Sequence, residues 1–190
     1  MAIDMSKVHT VFESVNMAST KYAERIFDCV CDEDVDNGTF GYMGELVDRN
    51  IYKFVKGTKE GEKVLVADMP AWDEDETSRL NQRRNRFYIP AGMPFRARVF
   101  KVNDEFCITI EGVSEGTQEV VTGETDFMAN DVFLTVGEDG KLVAATAETD
   151  GAAMEARIER KRIHGRKLVT DLRQYGSDYT MYEARIKVLA

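Results

Sequence analysis

Apolar and polar residues alternate along several separate stretches of the chain, and this alternation predicts β-strands. Around residue 97, Phe95, Ala97 and Val99 fall on one side of an extended chain, whereas Arg96 and Arg98 fall on the other. A period of two is typical of strands, because successive side chains point to opposite faces. The same period recurs at 51–56, 106–110, 154–158 and 182–188.

Other stretches predict how the strands begin, bend and end. The apolar run KVLVADMP does not alternate and predicts a strand buried on both faces. Two glycines within FGYMGELVD indicate a bulge or bend. Pro90 and Pro94 exclude a regular central strand between them, since proline cannot donate a ladder hydrogen bond. Short turns at NDE and at GEDG, each between two strand-like runs, predict two β-hairpins.

Together these patterns predict an all-β fold, mainly an antiparallel sandwich or barrel, because no convincing long helix separates the strands. A chain of 190 residues fits one domain, which we place at 26–190. Residues 1–25 form a predicted N-terminal arm. Within it the apolar positions have helical spacing and favour a short amphipathic helix, which docks either on its own domain or on a partner. Those positions are Val8, Val11, Phe12 and Val15.

Residues 71–86, AWDEDETSRLNQRRNR, are the best candidate for a long exposed loop. Acidic residues come first and basic residues second. Trp72, the single tryptophan, anchors either the core or a partner's pocket. The basic end supplies three further candidate contact residues, namely Arg83, Arg84 and Arg86. Pro90 and Pro94 are also candidate contact residues, because prolines fix the shape of the edge on which they lie.

Composition and charge narrow the class of protein. The formal net charge is −9, which argues against tight nucleic-acid binding, since that needs Lys and Arg to neutralise phosphates. No apolar stretch is long enough to cross a bilayer, and the first residues lack the pattern of a signal peptide. We therefore expect neither nucleic acid nor membrane as partner, and a location in the cytoplasm or in a particle assembled there. Cys29, Cys31 and Cys107 are predicted to be free, buried thiols.

Few residues form a recognisable catalytic or metal-binding pattern. The segment DEDVDNG, residues 32–38, begins like an EF-hand loop, but Asn37 and Met43 stand where the required glycine and bidentate acid should be. It is interpreted as a turn, with a different kind of cation site as the alternative. His9 and His164 have no partner at a known motif spacing and are expected in exposed turns. With no nucleotide-binding or hydrolase motif, we expect no catalytic, cofactor or metal-binding residue, and no enzyme.

The basic run RIERKRIHGRK, residues 157–167, has neither interleaved aromatics nor a groove-binding motif. Its simplest interpretation is a polar sheet face or a hairpin tip. A second interpretation is charge complementarity to an acidic protein, which chiefly sets specificity and the rate of association.

The order of these segments over residues 34–190 resembles that of the small structural proteins of tailed bacteriophages known as capsid decoration or cement proteins. The resemblance rests on the stretches DVDNGTFGYMGEL, NIYKFVKG, KVLVADMPAWDEDE, FYIPAGMPFRARVFKVNDEFCITIEG, FLTVGEDGKLVAA, MEARIERKRIHG and MYEARIKVL. It implies a protein without a catalytic site that binds the outer lattice of the major capsid protein and stabilises the shell against the pressure of packaged DNA. It also implies contacts between copies, for example as trimers, and a location on the virion surface.

Two alternatives stay open. The first is another virion component, such as a tail-tube, head-completion or minor structural protein. A small β-fold hydrolase or carbohydrate-binding domain is the alternative from a different class, and it would need a concave site with converging carboxylates or aromatics.

Overall fold

The computed structural model describes residues 7–20, 26–69, 85, 87–164 and 179–189, and the side chains of Thr20, Ile163, His164 and Tyr179 are not described. Eleven strands make up most of this part of the chain. They are β1 (Phe12–Asn16), β2 (Ile26–Val30), β3 (Phe40–Asp48), β4 (Ile51–Lys56), β5 (Leu65–Ala67), β6 (Phe95–Val99), β7 (Glu105–Thr109), β8 (Phe133–Val136), β9 (Leu142–Ala145), β10 (Met154–His164) and β11 (Tyr179–Leu189). One six-residue α-helix, α1 (Gln118–Gly123), and three 3₁₀ turns (Ala18–Thr20, Ile110–Gly112 and Glu115–Thr117) complete the described elements.

The strands form two sheets. One is an open, antiparallel six-stranded sheet in the order β1-β7-β11-β10-β8-β9. The other is a closed five-stranded barrel in the order β2-β4-β3-β5-β6, in which only the short β2–β4 pairing is parallel. The prediction of an all-β, mainly antiparallel fold is therefore confirmed.

The strand β5 contributes side chains to two apolar clusters, one inside the barrel and one against the six-stranded sheet. Leu65 and Ala67 belong to the apolar cluster inside the barrel, while Val66 belongs to the cluster that packs against the six-stranded sheet. All three residues are buried, as the unbroken apolar run predicted. Phe40 and Phe100 extend this second cluster and stack with ring centroids 5.6 Å apart. One continuous apolar layer thus joins the barrel wall to the sheet.

Several local predictions are confirmed in detail. The register of β3 against β4 shifts between Met43 and Leu46, a bulge that contains Gly44, as the glycines of this strand indicated. β8 and β9 form the predicted hairpin, closed by the turn at Gly137–Gly140. No strand runs between Pro90 and Pro94, and β6 begins immediately after them. The runs at 154–158 and 182–188 lie in β10 and β11, which pair along their whole length.

The prediction of a short N-terminal helix is wrong. Phe12–Asn16 is the edge strand β1, paired with β7. Phe12 faces the main core, where its ring stacks with that of Phe106, and Val11 packs on the opposite face with Cys107 and Met181. A helix this short gains little by itself, so pairing with β7 and burial of both faces decide the conformation. The described part of the predicted arm docks on its own chain, the first of the two alternatives.

The predicted hairpin between β6 and β7 is also wrong. Both strands exist, but β6 pairs with β2 and β5 of the barrel, whereas β7 pairs with β1 and β11 of the other sheet. Phe100 follows β6 and is buried in the shared apolar layer, stacked on Phe40. The chain therefore leaves the barrel at Phe100, and the turn at Asn103 (φ 72°) enters the second sheet instead of folding back on β6.

Candidate protein-contact surfaces

The predicted contact residues near the N-terminus fall into two groups. Val11 and Phe12 are each only 2% exposed and are buried within the folded chain, so their prediction as partner contacts is wrong. Val8 and Val15 remain substantially exposed. Helical spacing would place these four side chains on one face of a helix. In a strand, however, neighbouring side chains point to opposite faces.

The remaining predicted contacts are only partly described. Pro94 is exposed and Pro90 half-buried, beside a turn in which Gly92 has a φ of 76°. The amide of Gly92 donates to the Cys31 carbonyl, which fixes this turn on the barrel. Trp72, Arg83, Arg84 and Arg86 lie outside the described residues, as does the predicted loop at 71–86 apart from Asn85.

The acidic segment Asp32–Gly38, which follows β2, is hydrogen-bonded to the N-terminal segment before β1 and to Met69 after β5. Asp36 Oδ1 lies 2.7 Å from His9 Nδ1, and Asp36 Oδ2 accepts a hydrogen bond from the Thr10 amide. The Asn37 side chain both donates to the Met69 carbonyl and accepts from the Met69 amide. The interpretation of this segment as structural turn chemistry agrees with these contacts.

The environment of His9 corrects the expectation that it lies in an exposed turn. Its side chain is 14% exposed and stacks on Tyr88, with ring centroids 5.0 Å apart. Burial by itself raises the pKa of the Asp36 carboxyl, but hydrogen bonds from His9 and Thr10, together with the His9 charge, outweigh it and lower that pKa. Sequence reasoning missed this pair because its members are 27 positions apart and match no local motif.

An open groove of about 420 Å³ lies between β2, β4 and the β8–β9 turn. Its charged lining residues are Asp32, Glu33, Lys53, Lys56, Glu138 and Asp139. The Lys53 ammonium pairs with Asp32 at 2.5 Å, and the Lys56 ammonium pairs with Glu33 at 2.8 Å. Among the residues that the structure describes, no group of three or more His, Cys, Asp or Glu side chains is arranged to hold a metal ion.

On β10 and β11 most of the basic side chains are paired with carboxylates. Glu183 is 3% exposed and binds Arg160 at 2.7 Å and Arg162 at 2.5 Å. Burial alone raises the pKa of the Glu183 carboxyl, but the hydrogen bond and charges of these two arginines lower it further than burial raises it. Arg185 is held in the same way by Glu105 and Glu159. This part of the basic run is therefore a polar sheet face, as its simplest interpretation predicted.

The end of the β3–β4 hairpin is the most prominent exposed apolar feature that sequence reasoning missed. Every residue from 45 to 50 is exposed, and Leu46 and Val47 are each 56% exposed. The Asp48–Ile51 pair ends the ladder beside this turn, and Asp48 Oδ1 accepts a hydrogen bond from the Arg49 amide at 2.8 Å. No signal in the sequence indicated this exposure, because strand periodicity does not show where a strand extends beyond the sheet that covers it.

Comparison with protein-family models, with curated proteins and with solved structures found no match. In the described part of the chain, no helix has the length and apolar character needed to span a bilayer. Inferences about function therefore rest on the sequence resemblance and on the geometry of these surfaces.

Proposed function

We propose that this chain is a structural protein of a tailed-phage virion, and specifically a decoration protein that adheres to the outer lattice of the major capsid protein without catalysing a reaction. The observation that carries the proposal is the β3–β4 hairpin end, where Leu46 and Val47 are exposed at the end of two paired strands. The sequence resemblance over residues 34–190 supplies the phage context.

The hairpin end suits adhesion because its two strands are already paired in the free chain. β3 and β4 are both strands of a closed barrel, whose interior is filled by the rings of Phe54 and Phe95 at a centroid distance of 5.3 Å. A partner that covers Leu46 and Val47 would remove apolar surface from water without having to order the hairpin first, and this saving favours binding. Glu45, Asp48 and Arg49 surround the two aliphatic residues with charge, which is typical of the polar rim of a protein contact.

The size of this hairpin end fits weak binding by each copy. Two aliphatic side chains cover far less area than a stable pairwise interface needs. On a repeating shell, however, neighbouring copies that touch each other gain avidity from geometry alone. A lattice is therefore the kind of partner for which such a small contact is sufficient.

The two alternatives make different demands on the same molecule. Another virion component would use the hairpin end against a tail or connector protein. A carbohydrate-binding or hydrolytic domain would use the groove, where Glu138 and Asp139 face Lys53 and Lys56. In that groove Asp32 and Glu33 already pair with lysines, so the observation that favours adhesion is stronger.

The test is co-sedimentation of purified protein with phage shells from which the decoration protein has been stripped. We expect saturable binding at a fixed ratio to the capsid protein, and Leu46→Glu with Val47→Glu should weaken it by at least about tenfold, because two charges would enter an apolar contact. Met128→Glu is the matched control, since Met128 is 82% exposed and lies elsewhere on the surface.

Absence of binding by the unaltered protein would overturn the proposal. Binding that the double variant retains at full strength would show that a surface other than the β3–β4 hairpin end makes the contact. Turnover of a sugar or ester substrate together with absent shell binding would favour the hydrolase alternative.

A further inference from the structure

Charge is distributed unevenly over the fold. The strands β10 and β11 carry six Lys or Arg residues and three Glu residues, a formal charge of +3, whereas the whole chain has a net charge of −9. The basic residues are Arg157, Arg160, Lys161, Arg162, Arg185 and Lys187. The long hairpin is therefore a positive element on an acidic protein.

The ion pairs on this hairpin leave positive charge on the outside. Glu183 is 3% exposed, while its partner Arg160 is 58% exposed. Lys161 is exposed and has no ion pair among the described residues. Arg160 and Arg162 share the sheet face of Glu183, whereas Lys161, opposite Tyr182 in the register, lies on the other face. Because Glu183 is buried and these cations are not, a molecule that approaches this end of β10 edge-on meets mainly positive charge.

Within the described ranges, the backbone beside these cations also lacks a partner strand on one side. β8 pairs with β10 only from Glu155 to Arg157, and the Val132 carbonyl extends this contact by one hydrogen bond to the Ile158 amide. No other described residue pairs with that side of β10 beyond Ile158. We call residues 159–162 the β10 edge. Glu159 in this segment is bound by Arg185, so the three cations that follow it give the edge its positive charge. A positively charged strand edge repels a second identical edge but accepts an acidic surface.

The groove between β2, β4 and the β8–β9 turn has the opposite arrangement. Asp32 and Glu33 are 73% and 72% exposed, whereas their partners Lys53 and Lys56 are only 35% and 28% exposed. Here the carboxylates point outward and the ammonium groups lie beneath them. Glu138, which is also exposed, adds a further negative charge to the groove.

The β10 edge and the groove lie toward opposite ends of the same strand. β8 runs antiparallel to β10, with Phe133 opposite Arg157 and Thr135 opposite Glu155. The β8–β9 turn, which contributes Glu138 to the groove, therefore lies beyond the beginning of β10, whereas Lys161 lies toward its other end. Two complementary surfaces at opposite ends favour contact between different molecules.

We propose that the β10 edge of one copy docks into the acidic groove of a second copy, in a head-to-tail contact. Two different surfaces meet in such a contact, so repetition produces a closed ring when the rotation closes and an open chain when it does not. This inference deepens the proposed function, because it names the contact between neighbouring copies on a shell. It is tested without shells, so its failure leaves binding to the capsid lattice as a separate question.

The test is sedimentation velocity of the purified full chain over a series of protein concentrations at low and high salt. We expect concentration-dependent self-association that weakens as salt rises, because exposed charges are screened. Lys161→Glu and, separately, Glu138→Lys should each weaken the association constant by about tenfold, since each places like charges opposite each other. Lys63→Glu is the matched control, with the same charge change at an exposed lysine outside both surfaces.

A chain that stays monomeric at every concentration and salt would overturn the inference. So would self-association that Lys161→Glu leaves unchanged, or that Lys63→Glu weakens equally, since net charge would then explain the effect. If Lys161→Glu weakens association and Glu138→Lys does not, the groove is not the acceptor and the inference fails in that part. Binding of a polyglutamate peptide by a strictly monomeric chain would assign the β10 edge to a different acidic partner.

Discussion

His9 and Asp36 lie 27 positions apart in the chain, yet the His9 Nδ1 and Asp36 Oδ1 atoms are 2.7 Å apart. Asp36 also accepts a hydrogen bond from the Thr10 amide, so one carboxylate holds two consecutive residues of the N-terminal segment. The next residue, Val11, exchanges hydrogen bonds with Thr109. The Asp36 carboxylate therefore fixes the chain directly before β1 enters the six-stranded sheet.

We expect the stability of the protein to fall at acid pH in part through Asp36. The contacts with His9 and Thr10 hold the pKa of this carboxyl below its ordinary value of 3.8 in the folded state. A group with a lowered folded-state pKa stabilises the fold above its unfolded pKa and loses that contribution as pH falls through the folded value. The unfolding free energy, measured by urea titration from neutral pH to below pH 4, should therefore decrease on acidification.

Asp36→Asn should reduce the unfolding free energy at neutral pH by about 1–3 kcal/mol, because it removes a charge-assisted hydrogen bond in a partly buried position. As the pH is lowered through 4 and below, the stability of this variant should also change less than that of the unaltered protein, because the difference arises below the ordinary carboxyl pKa of 3.8. Asp150→Asn, at an exposed aspartate, is the control and should behave like the unaltered chain. Identical acid profiles for Asp36→Asn and the unaltered protein would contradict the prediction.

Phe106→Ala should be among the most destabilising single substitutions. The Phe106 side chain is fully buried, and its ring contacts those of Phe12, Phe40 and Phe100 at centroid distances of 5.7, 5.9 and 5.6 Å. Truncation would leave a cavity where β1, the barrel and the second sheet meet, at a cost of about 3–5 kcal/mol. Val102→Ala, at a half-exposed position, should change the unfolding free energy by less than about 0.5 kcal/mol. Equal midpoints of chemical unfolding for the two variants would be inconsistent with this packing.

Gly140 and Gly61 provide a matched pair for separating backbone conformation from steric contact. Both have a φ of 78°. A Cβ added at Gly140 would lie 2.5 Å from the Phe40 carbonyl oxygen, whereas one added at Gly61 has no neighbour within 4 Å. Gly61→Ala should cost about 1 kcal/mol through the positive φ alone. Gly140→Ala should cost about 1–3 kcal/mol more, because the β8–β9 turn would have to move away from β3.

Thermal unfolding of the two glycine variants measures the difference directly. The Phe40 amide donates to the Gly140 carbonyl at 2.8 Å, so movement of the turn would also weaken this link between the barrel and the second sheet. If both variants lose the same stability, the close approach at Gly140 is not a constraint on the fold.

Two of the three cysteines should be inert in the folded protein. Burial, with a contribution from nearby carboxylates, raises the pKa of the Cys29 and Cys107 thiols to about 12. Because the thiolate is the reactive form, a Cys31→Ser variant should give almost no rapid reaction with a thiol reagent at pH 8 and two thiols per chain after unfolding in urea. Rapid modification of the folded variant would show that one of these side chains is accessible.

How far the sequence could predict the molecule depends on the range of the interaction involved. Alternation correctly predicted β10 and β11, and the glycine-rich turn correctly predicted the β8–β9 hairpin, because a strand's two faces and a tight turn are properties of neighbouring residues. The candidate contact surfaces were harder to predict from the sequence. Val8 and Val15 were proposed as contacts and are exposed, but Leu46 and Val47 were overlooked, since exposure depends on which strand lies alongside.

The amino-acid sequence by itself determined that this chain is built of strands, where the main bulge and turns fall, and that β5 is buried on both faces. Only the tertiary structure decided which strands pair. It assigned β6 to the barrel and β7 to the other sheet, made a strand of the segment at Phe12, and brought His9 to Asp36. The physical reason is that period and propensity act between near neighbours, whereas partner choice depends on burying each apolar face against whichever distant segment fits it.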